Sequence, residues 1–362
     1  MRIALLTYST KPRGGVVHTL NLAEALARRG ADVTVWSLAR AGDRGFFRPV
    51  DPAVRIRLVE FSDLPGDTVT DRIVRSIELL GRSFTPTDYD IVHAQDCISA
   101  NAVGECIRTI HHLDEFTTPI LAECHEKAIV APCARICVSA AVAAQVRSGW
   151  GFDPTVIPNG VDAQRFSDAA EDISGVARWR RQLGRYVLTV GGIEPRKGTL
   201  DLVEAFHLLR RDRPDLQLVI GGGETLFDYR DYRSEFESRC QALDIAPVIL
   251  GAIADDDLPS LVAGCEVFAF PSTKEGFGLA ALEALAAGRP VVTRNLPVLR
   301  EVFGDTVRYA DAPAGFASAM AELLTAPGDP GPGRALARSL TWDDAAHAHL
   351  DFYRAQLSLL QR

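Results

Sequence analysis

The chain has 362 residues, 47% of them hydrophobic and 24% charged, enough for two ordinary globular domains with a core each. A formal net charge of −8 gives no general support for nucleic-acid binding. The first apolar run, Ile3 to Thr7, is too short for a signal-peptide core, and no uninterrupted stretch reaches membrane-spanning length.

Met1 to Thr7 reads as a strand, Ser9 to Gly15 as a turn, and Val16 to Arg29 as a helix with Val17, Leu20, Leu22, Ala25 and Leu26 at helical spacing, closed by Gly30. With a strand at Asp32 to Leu38 the opening is βαβ. Gly14-Gly15 sits where strand feeds helix. Two readings stand: a loop thin enough for a diphosphate to lie against backbone N–H groups, or a tight turn with no ligand. It is not a Walker loop, because the Gly-Lys-Ser/Thr ending is absent. Residues 40–52 form a loop rich in Arg, Gly and Phe, followed by a strand at Val54 to Phe61 and an amphipathic helix at Asp71 to Phe84. On that helix Arg72, Arg75 and Arg82, with Asp71 and Glu78 nearby, read as a solvated face in preference to an anionic-acceptor or membrane contact.

Asp90 to Ala94 is a strand, Ser99 to Cys106 a helix, and Ile107 to Ile110 leads into His111-His112. Paired histidines beside Asp114 raise the question of a metal. Neighbours on a strand point to opposite faces, so one ion is hard for both to reach. Ile136 to Ser139 is a strand and Ala140 to Trp150 a helix; Pro158-Asn159-Gly160 supplies turn chemistry. From Arg165 to Gly184 the composition turns polar, and the domain boundary is placed there. Seven cysteines scattered through apolar segments suggest reduced thiols in the cytoplasm. Cys133 and Cys137 are spaced too widely for a CxxC motif and read as buried small residues.

The second half restarts the pattern. Tyr186 to Val190 is a strand, Gly191 to Gly198 a loop carrying Arg196 and Lys197, and Leu200 to Arg210 a helix. Strands at Gln217 to Ile220, before Gly221-Gly222-Gly223, and at Pro247 to Leu250 follow. Asp255-Asp256-Asp257 precedes a helix and reads as its cap and dipole partner in preference to a metal cluster. An apolar strand, Val267 to Phe270, then runs through Pro271-Ser272 into Glu275-Gly276-Phe277-Gly278. A helix rich in Ala and Leu opens at Leu279 and stops at Gly288. A glycine loop between strand and helix lies where open α/β sheets bind ligands. On one continuous helix Glu275 and Glu283 would be about 12 Å apart. With Glu275 in the loop, both can turn to one pocket beside the amides of Gly276 to Leu279, where the positive helix end suits phosphate. From charge spacing alone the plain reading also holds: Glu275 a solvated loop residue, Glu283 a first-turn dipole partner. Residues 326–334 read as a Pro/Gly connector, before a last helix from Trp342 to Leu360. There Leu350, Tyr353, Leu357 and Leu360 share a face and Trp342 serves as a packing anchor.

The string Glu275-Gly276-Phe277-Gly278-Leu279, then Glu283-Ala284-Leu285-Ala286, Gly288 and Pro290-Val291-Val292, closely resembles the donor-site motif of retaining glycosyltransferases with the GT-B fold, above all the large family four. Pro271-Ser272 ahead and Glu301 behind lengthen the match, and the likeness covers nearly the whole chain. It implies two doubly wound Rossmann-like α/β domains facing a central cleft. An acceptor-side domain would span 1–165 with a returning helix at 343–362, and a nucleotide-sugar donor domain 166–342. It implies transfer of a sugar from a nucleotide-diphosphate donor to a hydroxyl or similar acceptor with retained configuration, by front-face attack and without a cofactor or metal.

The resemblance assigns Gly14, Gly15, Arg196, Lys197, Gly276, Phe277, Gly278, Leu279 and Glu283 to donor binding, Glu283 taking the ribose hydroxyls. Glu275 and His111 would orient the sugar and stabilise charge near its anomeric carbon; His112 is the lesser choice. The sequence departs from the pattern at Gly192, where the family usually has an arginine. Lys197 is in register, and Arg196 is the neighbouring residue able to compensate. Two alternatives remain: a sugar-nucleotide epimerase of the same fold, and a non-catalytic sugar-nucleotide-binding protein. A Rossmann dehydrogenase is disfavoured, because no GxGxxG follows the first strand. The acceptor, whether small molecule, lipid or glycan, is set by loops such as 40–52; peripheral membrane contact is left open.

Overall fold

The computed structural model describes residues 1–40, 42–116, 118–222 and 229–360. Gly223, last of the three glycines noted above, lies outside the described residues. The chain divides into two compact units, Met1–Gly160 with Trp342–Arg362, and Val161–Thr341.

The first unit contains β1 (Arg2–Leu6), α1 (Gly14–Arg28), β2 (Asp32–Arg40), β3 (Arg55–Phe61) and α2 (Val69–Ser83). It continues with β4 (Ile91–Ala94), α3 (Cys97–Val103), β5 (Ile107–Ile110), α4 (Pro119–Val130), β6 (Ala134–Cys137), α5 (Ala140–Trp150) and β7 (Thr155–Val156). All pairings are parallel, in the order β3-β2-β1-β4-β5-β6-β7. Such a sheet is covered on both faces, which explains why its strands read as unbroken apolar runs: Ile3 to Leu6 are wholly buried. The strand order reverses beside β1, so the loop from Thr7 to Arg13 emerges at the switch point where doubly wound sheets take ligands.

The second unit opens with α6 (Ala163–Glu171) and α7 (Ile173–Leu183), then β8 (Arg185–Val190), α8 (Thr199–Arg210), β9 (Leu216–Gly221), α9 (Arg230–Ala242) and β10 (Val248–Gly251). There follow α10 (Leu258–Gly264), β11 (Val267–Phe270), α11 (Leu279–Ala286), β12 (Val291–Arg294), α12 (Pro297–Phe303), β13 (Arg308–Ala310), α13 (Pro313–Thr325) and α14 (Gly331–Ser339). Its sheet is again parallel, in the order β10-β9-β8-β11-β12-β13. Here the reversal falls between β8 and β11, which pair through Val187↔Val267 and Leu188↔Phe268. The loops that follow these two strands therefore leave the sheet side by side.

The last helix, α15 (Trp342–Leu360), belongs to the first unit. Its Trp342, Ala346, Leu350 and Tyr353 are buried, and the Tyr353 hydroxyl stands 2.7 Å from His93 Nδ1. The fold is thus two Rossmann-like α/β units with a C-terminal helix returned to the first.

Several local expectations change. The polar stretch after Arg165 is helical, α6 and α7, and the division between units falls at Gly160. Asp257 is the N-cap residue of α10, as expected, but its side chain makes no cap bond. Instead Asp255 pairs with Arg165 at 2.8 Å and Asp257 with Arg178 at 2.5 Å, tying α6 and α7 to the loop before α10. The Pro/Gly connector is shorter than expected, because Gly331 to Arg334 form the first turn of α14. Cys137 is buried as expected, but Cys133 is exposed.

Candidate active site

In the second unit the loops after β8 and β11 are joined where Thr273 N–H donates to the Arg196 carbonyl at 2.8 Å. That contact brings three of the motif residues together. Lys197 Nζ donates to Glu275 Oε1 at 2.6 Å, and Arg196 Nη1 reaches the same oxygen at 3.3 Å. Arg196 Nη2 also donates to Glu194 Oε1 at 3.1 Å. The Lys197 ammonium stands 5.5 Å from the Phe270 ring centroid, a cation–π contact that fixes its direction. Two glycines make this geometry available. Gly198 has φ 63°, and a Cβ there would overlap the Pro271 carbonyl. Gly278 has φ 99°, and a Cβ would come within 3.0 Å of the Phe303 ring. Gly276, Phe277 and Gly278 are buried, and Leu279 opens α11 as expected. The first amides of α11 accordingly lack intrahelical acceptors, the usual makings of an anion site.

Glu283, one turn into α11, stands in different company. Burial pushes its carboxyl up to about 8, opposed by Arg165 and reinforced by Asp255 and Asp162. Among the described residues nothing donates a hydrogen bond to it. Arg165 is itself engaged, by the Asp255 carboxylate at 2.8 Å and the Asp255 carbonyl. Glu283 is thus a half-buried carboxyl with no hydrogen bond to its side chain among the described residues.

In the first unit His111 lies one residue past β5. Its ring stands edge-on to His18, centroids 4.7 Å apart, and a Cβ on Gly15 would lie 3.6 Å from its Cδ2. The glycine pair and the histidine, read separately in the sequence, are therefore neighbours. Gly14 and Gly15 are the first two residues of α1, not a turn ahead of it, and Gly14 is open to solvent. Burial, with the His18 and Arg108 charges, holds the His111 imidazole well below its ordinary pKa, so it is neutral at pH 7. Its Nε2 is sealed from solvent without a hydrogen bond. His112 turns elsewhere, its Nε2 3.2 Å from Asp114 Oδ2.

Comparison with known proteins bears on this arrangement. Residues 178–330 match the family model described as glycosyl transferases group 1, and residues 12–165 match that of Glycosyltransferase Family 4. A phosphatidyl-myo-inositol mannosyltransferase of Mycobacterium tuberculosis is 30% identical over 84% of this chain and 80% of its own. The chain belongs to the group 1 glycosyl transferases. Another relative of this glycosyltransferase, a D-inositol 3-phosphate glycosyltransferase of Pseudarthrobacter chlorophenolicus, is 28% identical over 98% of this chain and 95% of that one. Among solved structures, sucrose-phosphate synthase from Thermosynechococcus elongatus superposes with TM-score 0.79 at 21% identity, covering 99% of each chain. Anabaena HepE, solved with UDP and glucose, gives TM-score 0.75 at 19% identity, over 97% of this chain and 99% of that one. The fold is GT-B.

Some neighbours of the glycosyltransferase motif residues escaped the sequence reading. Glu194 on Arg196 and Arg165 with Asp255 beside Glu283 are polar residues in polar segments, with nothing local to single them out. His18 left a trace: it lies three residues after Gly15, on the stripe of α1 that turns inward. Its Nδ1 donates to Asn159 Oδ1 at 2.8 Å. Among the described residues no three His, Cys, Asp or Glu side chains are grouped as metal ligands, and no helix is long and apolar enough to cross a membrane.

Proposed function

We propose that this glycosyltransferase moves a sugar from a nucleoside diphosphate donor to an acceptor hydroxyl with retention of anomeric configuration. The observation that carries the reading is the convergence of Lys197 and Arg196 on one oxygen of Glu275. An arriving diphosphate would compete with Glu275 for these two cations, and the uncapped first amides of α11 would add N–H donors. As the glycosidic bond breaks, negative charge grows on the leaving diphosphate, and preorganised cations and amides stabilise that charge more than they stabilise the ground state. The Glu275 carboxylate then orients sugar hydroxyls and offsets positive charge at the anomeric carbon. A leaving-group oxygen takes the acceptor proton on the same face from which the acceptor attacks. Glu283, with unspent acceptor capacity, suits the ribose hydroxyls. His111 is assigned to the sugar as a neutral hydrogen-bonding group, in keeping with its lowered pKa and its place beside Gly15.

The relatives named above carry inositol-based acceptors in their names, and HepE was solved with UDP. Those facts favour a uridine donor and a polyol hydroxyl as first trials. The test is thermal shift with UDP, GDP and ADP, then turnover of the matching nucleotide sugars. A nucleotide at a hundred times its Kd adds about 2.7 kcal/mol of stability. Proton NMR of the product reads the anomeric configuration. No response to any nucleotide, or an inverted product, overturns the reading.

A further inference from the structure

A chain of buried imidazoles runs from His111 to the C-terminal helix. His18 on α1, His93 on β4 and His349 on α15 are all wholly buried, and the mechanism above uses none of them. Ring centroids are 6.2 Å apart for His18 and His349, and 5.8 Å for His93 and His349. His93 is bonded at both nitrogens, Nδ1 to the Tyr353 hydroxyl and Nε2 to Thr109 Oγ1, each at 2.7 Å. His349 Nδ1 donates to the Ala345 carbonyl one turn back at 2.7 Å. His18 is the member that meets the site: its ring stands at 76° to that of His111 with centroids 4.7 Å apart, an edge-on pair. On its α15 side His18 meets the Trp342 ring, also edge-on, at 5.4 Å.

The amide oxygen of Asn159 can only accept, so His18 Nδ1 carries the proton and the tautomer is fixed. Its Nε2 is then a lone pair, sealed without a partner. Burial keeps the ring neutral, pushing its pKa down to about 3. A leucine on this inward stripe of α1 would leave no polar atom unsatisfied. A flat ring tethered at one nitrogen does what a leucine cannot, because it holds one fixed orientation against its neighbour. We propose that His18 is a positioning residue for His111: the Asn159 tether fixes its ring, and that ring sets the plane of the His111 imidazole beside Gly15. Trp342 and His349 close the other side of His18, so the C-terminal helix backs the same contact. A group that must meet a transition state loses much of its effect when tilted or displaced, so His18 acts on rate and not on nucleotide affinity. The catalytic part of this inference rests on the assignment of His111 to the sugar; the tethered contact does not.

The experiment combines imidazole nitrogen NMR of protein labelled with ¹⁵N-histidine, UDP calorimetry, Tm, and UDP release from UDP-glucose with myo-inositol as acceptor. It compares the parent with His18→Phe, Asn159→Ala, His111→Ala and the double variant of His18→Phe with His111→Ala. In the parent, His18 should carry its proton on Nδ1. The His111 ring signals, identified by their loss in His111→Ala, should shift in both His18→Phe and Asn159→Ala. Each of these two variants should lower turnover about tenfold, with Tm and UDP affinity kept in His18→Phe. In the His111→Ala background His18→Phe should add nothing, because His18 acts through His111; a merely structural role would add its own loss. Asn159→Ala cuts the tether from its other end and carries the same readouts should His18→Phe fold poorly. A His18 proton on Nε2, or His111 signals unmoved in both variants, overturns the proposal whatever the activity. A slow His111→Ala beside a full-rate His18→Phe overturns the proposal alone, whereas a full rate in His111→Ala overturns the sugar assignment and the proposal with it.

Discussion

The ligand-facing loops of the two units handle charge in opposite ways. After β8 and β11 the cations Lys197 and Arg196 close on the acids Glu275 and Glu194, so the second unit meets its charges internally. Between α1, β5 and α15 the first unit instead keeps its imidazoles neutral, with Nε2 of His18, His111 and His349 sealed without a partner. A self-satisfied cluster carries no stability cost while empty, and a ligand enters it by exchange. An unsatisfied cluster is destabilising at all times, and what it supplies is fixed ring orientation. The two sites should therefore respond differently when a member is removed.

The largest effect is expected at Lys197. Lys197→Ala should lower turnover about 10²- to 10³-fold, as loss of a preorganised charge donor does, and should reduce stabilisation by UDP. Full turnover in that variant would make the Lys197–Glu275 pair structural and erase the contrast. His111→Ala should lower turnover about a hundredfold with little change in nucleotide affinity, the pattern of a group acting in the transition state. His112→Ala should be milder, since that ring is turned to Asp114. If single-turnover rates ranked the two variants the other way, the roles of the neighbouring histidines would have to be exchanged.

Glu283 sharpens the comparison, being a carboxyl without a hydrogen bond close to the paired charges of the second unit. Glu283→Ala should cost about 1.5–3 kcal/mol of nucleotide binding, the range for hydrogen bonds to a charged group; unchanged calorimetric affinity would reassign it to helix structure. It also has a pH signature. Burial pushes the folded carboxyl up to about 8, well above the ordinary carboxylate range, so folding favours the protonated form. That contribution is complete below the unfolded value and is lost as pH rises towards 8. Glu283→Gln should therefore gain Tm relative to the parent on going from pH 5 to pH 8, and a pH-independent difference would put the carboxyl in solvent. The smallest effect is expected for Gly192→Arg, which should tighten donor binding by no more than about tenfold through one added charge-assisted contact. Equal or weaker affinity would mean that Arg196 already serves the diphosphate.

What the sequence made legible was what repeats locally. Buried parallel strands are continuous apolar runs, and the stretch from Val267 to Gly288 writes strand, glycine loop and helix in order. Less legible was whatever depends on a partner far along the chain. Asp255 and Asp257 look like helix caps until α6 and α7 present Arg165 and Arg178 to them. Arg75 looks solvated until β3 brings the Phe61 ring centroid within 4.9 Å of its guanidinium. Glu275 and Lys197 could be named from their motifs, but their direct pairing follows only from the adjacency of β8 and β11, a fact of sheet order. Gly331 to Arg334 look like a linker because Pro and Gly dominate, yet Pro is welcome in a helix's first turn.

The return of α15 to the first unit has a consequence for biosynthesis. His93 on β4 reaches its hydroxyl partner Tyr353 only after the whole of Val161–Thr341 has left the ribosome. The second unit, one continuous stretch, can complete its sheet as it emerges, whereas the first must wait with the docking surface on α1 uncovered. The first unit's sheet, contained in Arg2–Val156, still emerges first, but its packing is completed last. The earlier-made unit is the later to mature, and the interval leaves apolar surface open to chaperones or to aggregation.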